Sequence, residues 1–305
     1  MIPEHKFSTI DELLEFISPW GKDPNLTGFV FRGHSKESYE LTPTALRLEK
    51  NDQLWNMSGL GKPIDRQWDW QSWQIEAEYH LLRSFYRLAD QRGLDVPTSF
   101  RVRQNLAQEF DTVGLIGHDQ QDVWIPTDLH ETAALAQHYG VPTRLLDWTY
   151  DIYISLYFAL RGAVEQEGNL VIWALNKEYL SFLKPTVNRV DLEFITPHYS
   201  GNPNLNAQKG LFTLWPVVRH SRAQEIMSLT NGRGALQVDR RPLNELVFSS
   251  FTQEENFPIF KKFILPCAQA KRGCQMLDKL GYDSSRVFPG YDGVAAQLQE
   301  RHKYK

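Results

Sequence analysis

Cysteine is almost missing from this chain. Only Cys267 and Cys274 occur in 305 residues, with six residues between them. That spacing fits neither a CxxC redox or zinc motif nor a disulfide framework, so a reduced, cytoplasmic protein is expected. Long apolar runs are missing too. No stretch of 18 apolar residues exists, so no membrane span is expected. The start, Met1-Ile2-Pro3-Glu4-His5-Lys6, lacks the charged-then-apolar layout of a secretory leader. The formal net charge is −4, which excludes a chain-wide basic footprint for duplex DNA. Neither GxGxxG nor GxxxxGK[ST] is present, and there is no GxSxG elbow or HExxH zinc motif.

What is present is a globular composition, 42% apolar and 23% charged. The spacing of Ile10, Leu13, Leu14 and Ile17 predicts a first helix capped by Ser8 and stopped by Pro19 and Gly21. A strand follows at Gly28–Arg32. Residues 50–73 show no period and carry Trp55, Trp68, Trp70 and Trp73, which reads as a tryptophan-rich loop. Apolar stripes over 75–86 and 98–115 predict helices. The segment from about 50 to 125 therefore reads as a loop and helical insertion. A helix from Thr127 to Gly140 is expected, with Asp128 and Glu131 at capping-box spacing. A buried helix is expected at 152–160. Strands are expected at 169–175, 190–195, 212–218 and 259–265, and helices at 267–280 and 293–302. The fold class is α+β: a mixed or split sheet flanked by helices, with 1–305 as one domain.

Arg32 ends the run Phe29-Val30-Phe31 with Gly33 behind it. An arginine after bulky apolar residues needs an anionic partner to be buried. It either forms a structural pair with an aspartate or captures a phosphate or carboxylate. The densest polar stretch is Ala136-Gln137-His138-Tyr139-Gly140-Val141-Pro142-Thr143-Arg144-Leu145-Leu146-Asp147-Trp148-Thr149. There Asp147 can neutralise Arg32 or Arg144, or His138, Tyr139, Arg144 and Thr149 can line a pocket with Arg32. His130 and His138 lie roughly 80° apart on one helix, near Glu131 and Asp147, but without zinc-ligand spacing, so no metal is expected. Asn231-Gly232-Arg233-Gly234 reads as a turn, and the basic end Arg301-His302-Lys303-Tyr304-Lys305 as a solvated terminus.

Phe31-Arg32-Gly33, the segment Leu41–Arg47, the 136–149 block, Leu156-Tyr157-Phe158-Ala159, Ala207–Thr213 and Phe288–Gly293 together resemble the FRG domain family, in blocks from about 28 to 297. Two departures are His34, where Gln is expected, and Tyr150-Asp151-Ile152-Tyr153, where Asn/Ser-Pro-Leu is expected. The layout in turn resembles that of arginine-type ADP-ribosyltransferases. That resemblance implies NAD as substrate, Arg32 on its phosphates, Thr149 as the ribose-orienting hydroxyl, and Glu193 or Gln208 on the 2′-hydroxyl. It implies ligand contacts from Gly33, His34, His138, Tyr139, Arg144 and Asp147. It suggests a toxin or anti-phage effector with a protein or nucleic-acid target and an antitoxin. Two rivals stand beside it: a non-catalytic sensor of a nucleotide or other anion, and a metal-dependent nuclease or hydrolase built on His34, His130, His138 and Asp147.

Overall fold

The computed structural model describes residues 2–21, 26–62, 70–104, 123–183, 191–200, 202–218, 237–251 and 259–304. In chain order the elements are β1 (Glu4–Lys6), α1 (Ile10–Ile17), β2 (Phe29–His34), α2 (Asn51–Ser58), α3 (Trp70–Gln91), α4 (Phe100–Gln104), β3 (Val123–Trp124), α5 (His130–His138), β4 (Leu145–Thr149), α6 (Ile152–Ala163), β5 (Asn169–Asn176), α7 (Lys177–Leu183), β6 (Glu193–Ile195), α8 (Pro203–Ala207), β7 (Gly210–Leu214), β8 (Val217–Val218), α9 (Leu243–Ser249), β9 (Phe260–Pro266), α10 (Ala270–Lys279), α11 (Ser284–Val287) and α12 (Tyr291–Tyr304). None of the described helices is long and apolar enough to cross a membrane.

Seven strands form one mixed sheet in the order β1-β9-β5-β2-β4-β7-β6, and β3 pairs with β8 apart from it. The β1–β9 pair is parallel, and the others in the large sheet are antiparallel. Alternation along β2 divides its side chains. Phe29 and Phe31 enter a core formed with α1, α6 and α10, whereas Val30 joins Leu146, Trp148 and Trp173 on the opposite face. Each large apolar side chain fully buried there contributes roughly 1.5–3 kcal/mol. A third core joins α3 and α5 to Leu145, Phe212 and Leu214.

One joint in this sheet is weak. β2 shares six registered pairs with β5, and β4 shares five with β7. Between β2 and β4 only Phe31 and Thr149 are in register. Just beyond that joint lie Arg32 and Gly33. The glycine is required by packing: a Cβ there would sit 1.9 Å from the Ser155 carbonyl oxygen. The first turn of α6 therefore lies directly on the β2 backbone.

Several expectations change. Thr9, not Ser8, caps α1, in a capping box with Glu12. Residues 51–58 are helical where a loop was expected, because Leu54 and Trp55 turn inward and Gly59 ends the helix at φ +78°. Trp70 and Trp73 pack on that cluster inside α3, and Trp68 lies outside the described residues. Asp128 does not form a box with Glu131. It accepts hydrogen bonds from the Ser99 hydroxyl and the Phe100 amide instead, and a 3₁₀ turn precedes α5. The expected strand at 212–218 divides into β7 and β8. Most of 98–115, and the 231–234 turn, lie outside the described residues.

Candidate functional site

The open β2–β4 joint is the floor of a cleft of about 330 Å³. That falls within the range of small-molecule pockets, about 300–1,000 Å³. Its apolar wall includes Phe31, Trp148, Phe158, Phe212 and Phe288. Its polar groups come from five stretches of chain: Arg32 on β2, Gln137 and His138 at the end of α5, Asp147 and Thr149 on β4, Ser155 on α6, and Gln208 after α8.

Arg32 is held from two sides. Its Nη1 donates to the Asp147 carboxylate at 2.6 Å and to the Asp147 carbonyl at 2.8 Å. Its Nε donates to His34 Nε2 at 2.8 Å. A guanidinium only donates, so Nε2 is the accepting nitrogen and Nδ1 carries the proton. Nδ1 in turn donates to the Tyr39 carbonyl, 3.1 Å away. Burial, then the neighbouring Arg32 charge, pushes His34 down to about 3, so this imidazole stays neutral. Arg32 Nη2 has no protein partner among the described residues.

Asp147 lies on the floor, where water reaches 64% of its side chain. Crowding by the cleft walls raises its pKa, but the Arg32 charge and hydrogen bond outweigh this and hold it below the usual carboxylate range. A short relay fixes its orientation. The Leu145 amide donates to Thr143 Oγ1, Thr143 Oγ1 donates to Gln137 Oε1, and Gln137 Nε2 donates to Asp147 Oδ1 at 3.2 Å. Arg32 also binds Oδ1, so Oδ2 has no hydrogen-bond partner among the described residues. The result is an ionised carboxylate with one available oxygen in an aromatic-walled cleft.

The remaining expected residues divide between cleft and scaffold. Thr149 lines the cleft, but its hydroxyl donates to the Gln208 carbonyl at 2.7 Å and accepts from the Asp151 amide. Gln208 lines it as well, with its side-chain amide donating to the Val287 carbonyl. His138 is half-buried and neutral, its pKa lowered by burial, and Nε2 accepts from Asn204 at 3.1 Å. Gly33 lines the cleft, and α6 packs directly against it. Tyr139 is exposed, edge-on to His138, and does not line the cleft.

Arg144 and Glu193 lie elsewhere. Arg144 is 2% exposed and makes a two-pronged bond to Glu78 of α3, at 2.8 and 3.0 Å. Glu193, on an edge strand, faces His130 at 3.8 Å. His130 also contacts the Ile125 carbonyl, away from His34 and His138. No three His, Cys, Asp or Glu side chains among the described residues gather as a metal-binding group. Cys267 and Cys274 are buried and unpaired.

Gln137, Ser155, Phe158 and Phe288 are cleft residues that sequence reasoning did not single out. Gln137 had a readable signal, as a polar side chain in the last turn of an apolar helix. Phe288 stood in the Phe288–Gly293 block of the family resemblance, but nothing local placed it at the cleft, because only the return of the chain from α11 brings it there.

Fold and cleft define an α+β protein with an aromatic-walled cleft at a sheet joint. Residues 27–168 match the family model of the FRG domain, so this stretch of the chain is an FRG domain. The match takes in Phe31-Arg32-Gly33, the 41–47 segment and the 136–149 block, and stops before 207–213 and 288–293. No curated protein and no solved structure matches the chain.

Proposed function

We propose that the cleft binds NAD and breaks its nicotinamide–ribose bond, passing ADP-ribose to a target molecule or to water. One observation carries this reading: Arg32, His138, Thr149 and Gln208, distant in sequence, line a single aromatic-walled cleft. The flat nicotinamide ring suits the Trp148 and Phe158 side of that wall. When the C1′–N bond breaks, its electron pair leaves with the pyridinium nitrogen and positive charge develops on the ribose. A fixed, ionised carboxylate stabilises such an oxocarbenium-like state, and Asp147 is that carboxylate. It takes the place considered for Glu193, which faces His130 instead. Arg32 Nη2 supplies the donor for a phosphate. We read the whole chain as one FRG-like unit, because its sheet takes strands from both ends of the chain, and we place it in the cytoplasm as a toxin or anti-phage effector.

A specific feature favours a second reading, a nucleotide- or anion-binding module without catalysis. The Thr149 hydroxyl is already engaged by Gln208 and Asp151, leaving it less free to orient a ribose.

The test is nicotinamide release from NAD by the pure protein, alone and with cell extract as a source of target, beside calorimetric NAD binding. Release by wild type and a loss of about 10²–10³-fold in Asp147→Asn supports catalysis. Binding without release under both conditions supports the sensor. Absence of both binding and release overturns the NAD reading.

A further inference from the structure

The last helix, α12, is inside out. Placed at 100° per residue, Gly293, Gln297, Glu300 and Tyr304 form the face that packs on the protein. That face is largely polar. Gln297 donates to Asp278, and Glu300 holds Arg161 at 2.6 Å and the Ser284 hydroxyl. On the far side stand Tyr291, Val294 and Leu298, at 95%, 50% and 65% exposure, with the exposed Ala295 and His302 beside them. Helices of globular proteins normally turn the apolar stripe inward. Here polar bonds dock the helix and the stripe is left in water. The 3-then-4 spacing of Tyr291, Val294 and Leu298 is that of a seam that meshes with another helix at a shallow crossing angle.

We infer that α12 is a self-association surface, pairing antiparallel with α12 of a second copy of this chain. The charge pattern selects that occupant. The helix begins with the acidic Asp292 and ends with basic residues including His302 and Lys303. Asp292 and Lys303 fall on the same flank of the stripe, roughly 20° apart by the same helical period. Arg301 is already engaged by Asp278, which leaves Lys303 as a free cation at this end among the described residues. In an antiparallel, two-fold pair the acidic start of each helix meets the basic end of the other, and Leu298 packs near the Leu298 of its mate. A two-fold contact is self-complementary and closes, so it yields dimers rather than filaments. The seam is only a few side chains long, well below the roughly 800 Å² per partner of a standard interface, so the dimer is weak and concentration-dependent. None of this depends on what the cleft binds.

Sedimentation velocity over a roughly hundredfold range of protein concentration tests it. The expected result is a monomer–dimer shift in wild type. Leu298→Glu, at an exposed position that leaves thermal unfolding unchanged, should remain monomeric throughout. Asp292→Lys should weaken the dimer, and combining it with Lys303→Asp should restore it. A wild type that stays monomeric throughout overturns the proposal, as does a dimer indifferent to Leu298→Glu in a protein with unchanged melting. A dimer weakened by Asp292→Lys but not restored by adding Lys303→Asp overturns the antiparallel arrangement.

Discussion

Two arginine–carboxylate pairs flank the same strand, and their chemistry is nearly identical. Arg144 meets Glu78 at 2.8 Å and Arg32 meets Asp147 at 2.6 Å. Their surroundings differ. The first pair is 2% and 3% exposed, and Glu78 also accepts from Trp124 Nε1 and Gln74 Nε2, so its oxygens are fully engaged. The second opens on a cleft, with one guanidinium nitrogen and one carboxylate oxygen unengaged among the described residues. A sealed pair fastens α3 to the start of β4. An open pair presents preoriented charge to the cleft. Pairing alone does not distinguish scaffold from site; spare valence facing a cavity does.

Breaking the sealed pair should give the largest effect. Glu78→Ala strands a buried guanidinium, and removing one member of a buried pair costs about 3–5 kcal/mol. Urea unfolding should show that loss. Replacing Glu78 and Arg144 together with Leu and Met should recover much of it, because no orphan charge remains. If Glu78→Ala is nearly neutral, the sealed pair is not the fastening described here.

Gly33→Ala comes next. The added Cβ meets backbone oxygen rather than a flexible side chain, so β2 and α6 must move apart. Overpacking of this kind costs about 1–3 kcal/mol. The movement also widens the cleft, so ligand affinity should fall along with the melting temperature. Normal stability and normal binding together would remove the packing explanation for this glycine.

These two examples show how far the residues could be read. The alternation of Phe29, Val30 and Phe31, the buried helix at 152–160 and the strands at 169–175 and 259–265 were legible, because local periodicity and burial agree there. Arg32, Asp147, His138 and Thr149, which line the cleft, were legible as candidates for a similar reason: polar groups between apolar neighbours must find partners, whereas Gln208 was named only through the resemblance to the ADP-ribosyltransferase layout. The choice between Arg32 and Arg144 as the partner of Asp147 was not legible. It depends on Glu78, a residue 66 positions from Arg144 that only the packing of α3 brings near. The helix at 51–58 escaped notice because its apolar face is narrow, and α2 is stabilised by its contacts with α3.

His34 sharpens the comparison through pH. The unfolded imidazole takes up a proton near pH 6.5, while the folded one resists until about 3. Below pH 6.5 the unfolded chain therefore binds the extra proton, and stability falls as pH falls through that window. His34→Gln keeps an acceptor for Arg32 Nε and cannot titrate. It should match wild type at neutral pH and lose part of the acid sensitivity, on the order of a few kcal/mol by pH 4. Chemical denaturation at pH 7, 5.5 and 4 reads this directly, and identical slopes for the two proteins would rule it out.

Asp147→Asn should have the smallest effect on folding and discriminates best between the two pairs. The carboxylate is 64% exposed, so solvent screens much of its attraction to Arg32, and its loss should cost no more than about 1 kcal/mol. Its contribution has a definite pH sign. The folded pKa is depressed, so the pair stabilises above the unfolded value near 4 and fades as pH falls through the folded value. Asparagine keeps the shape and an acceptor for Arg32 but removes the charge. If the open pair serves a ligand, this variant should melt within a few degrees of wild type while cleft binding or turnover collapses. If it is scaffold like its buried counterpart, stability and function should fall together. Measuring both on one preparation, beside Glu78→Ala, decides which pair holds the fold and which serves the ligand.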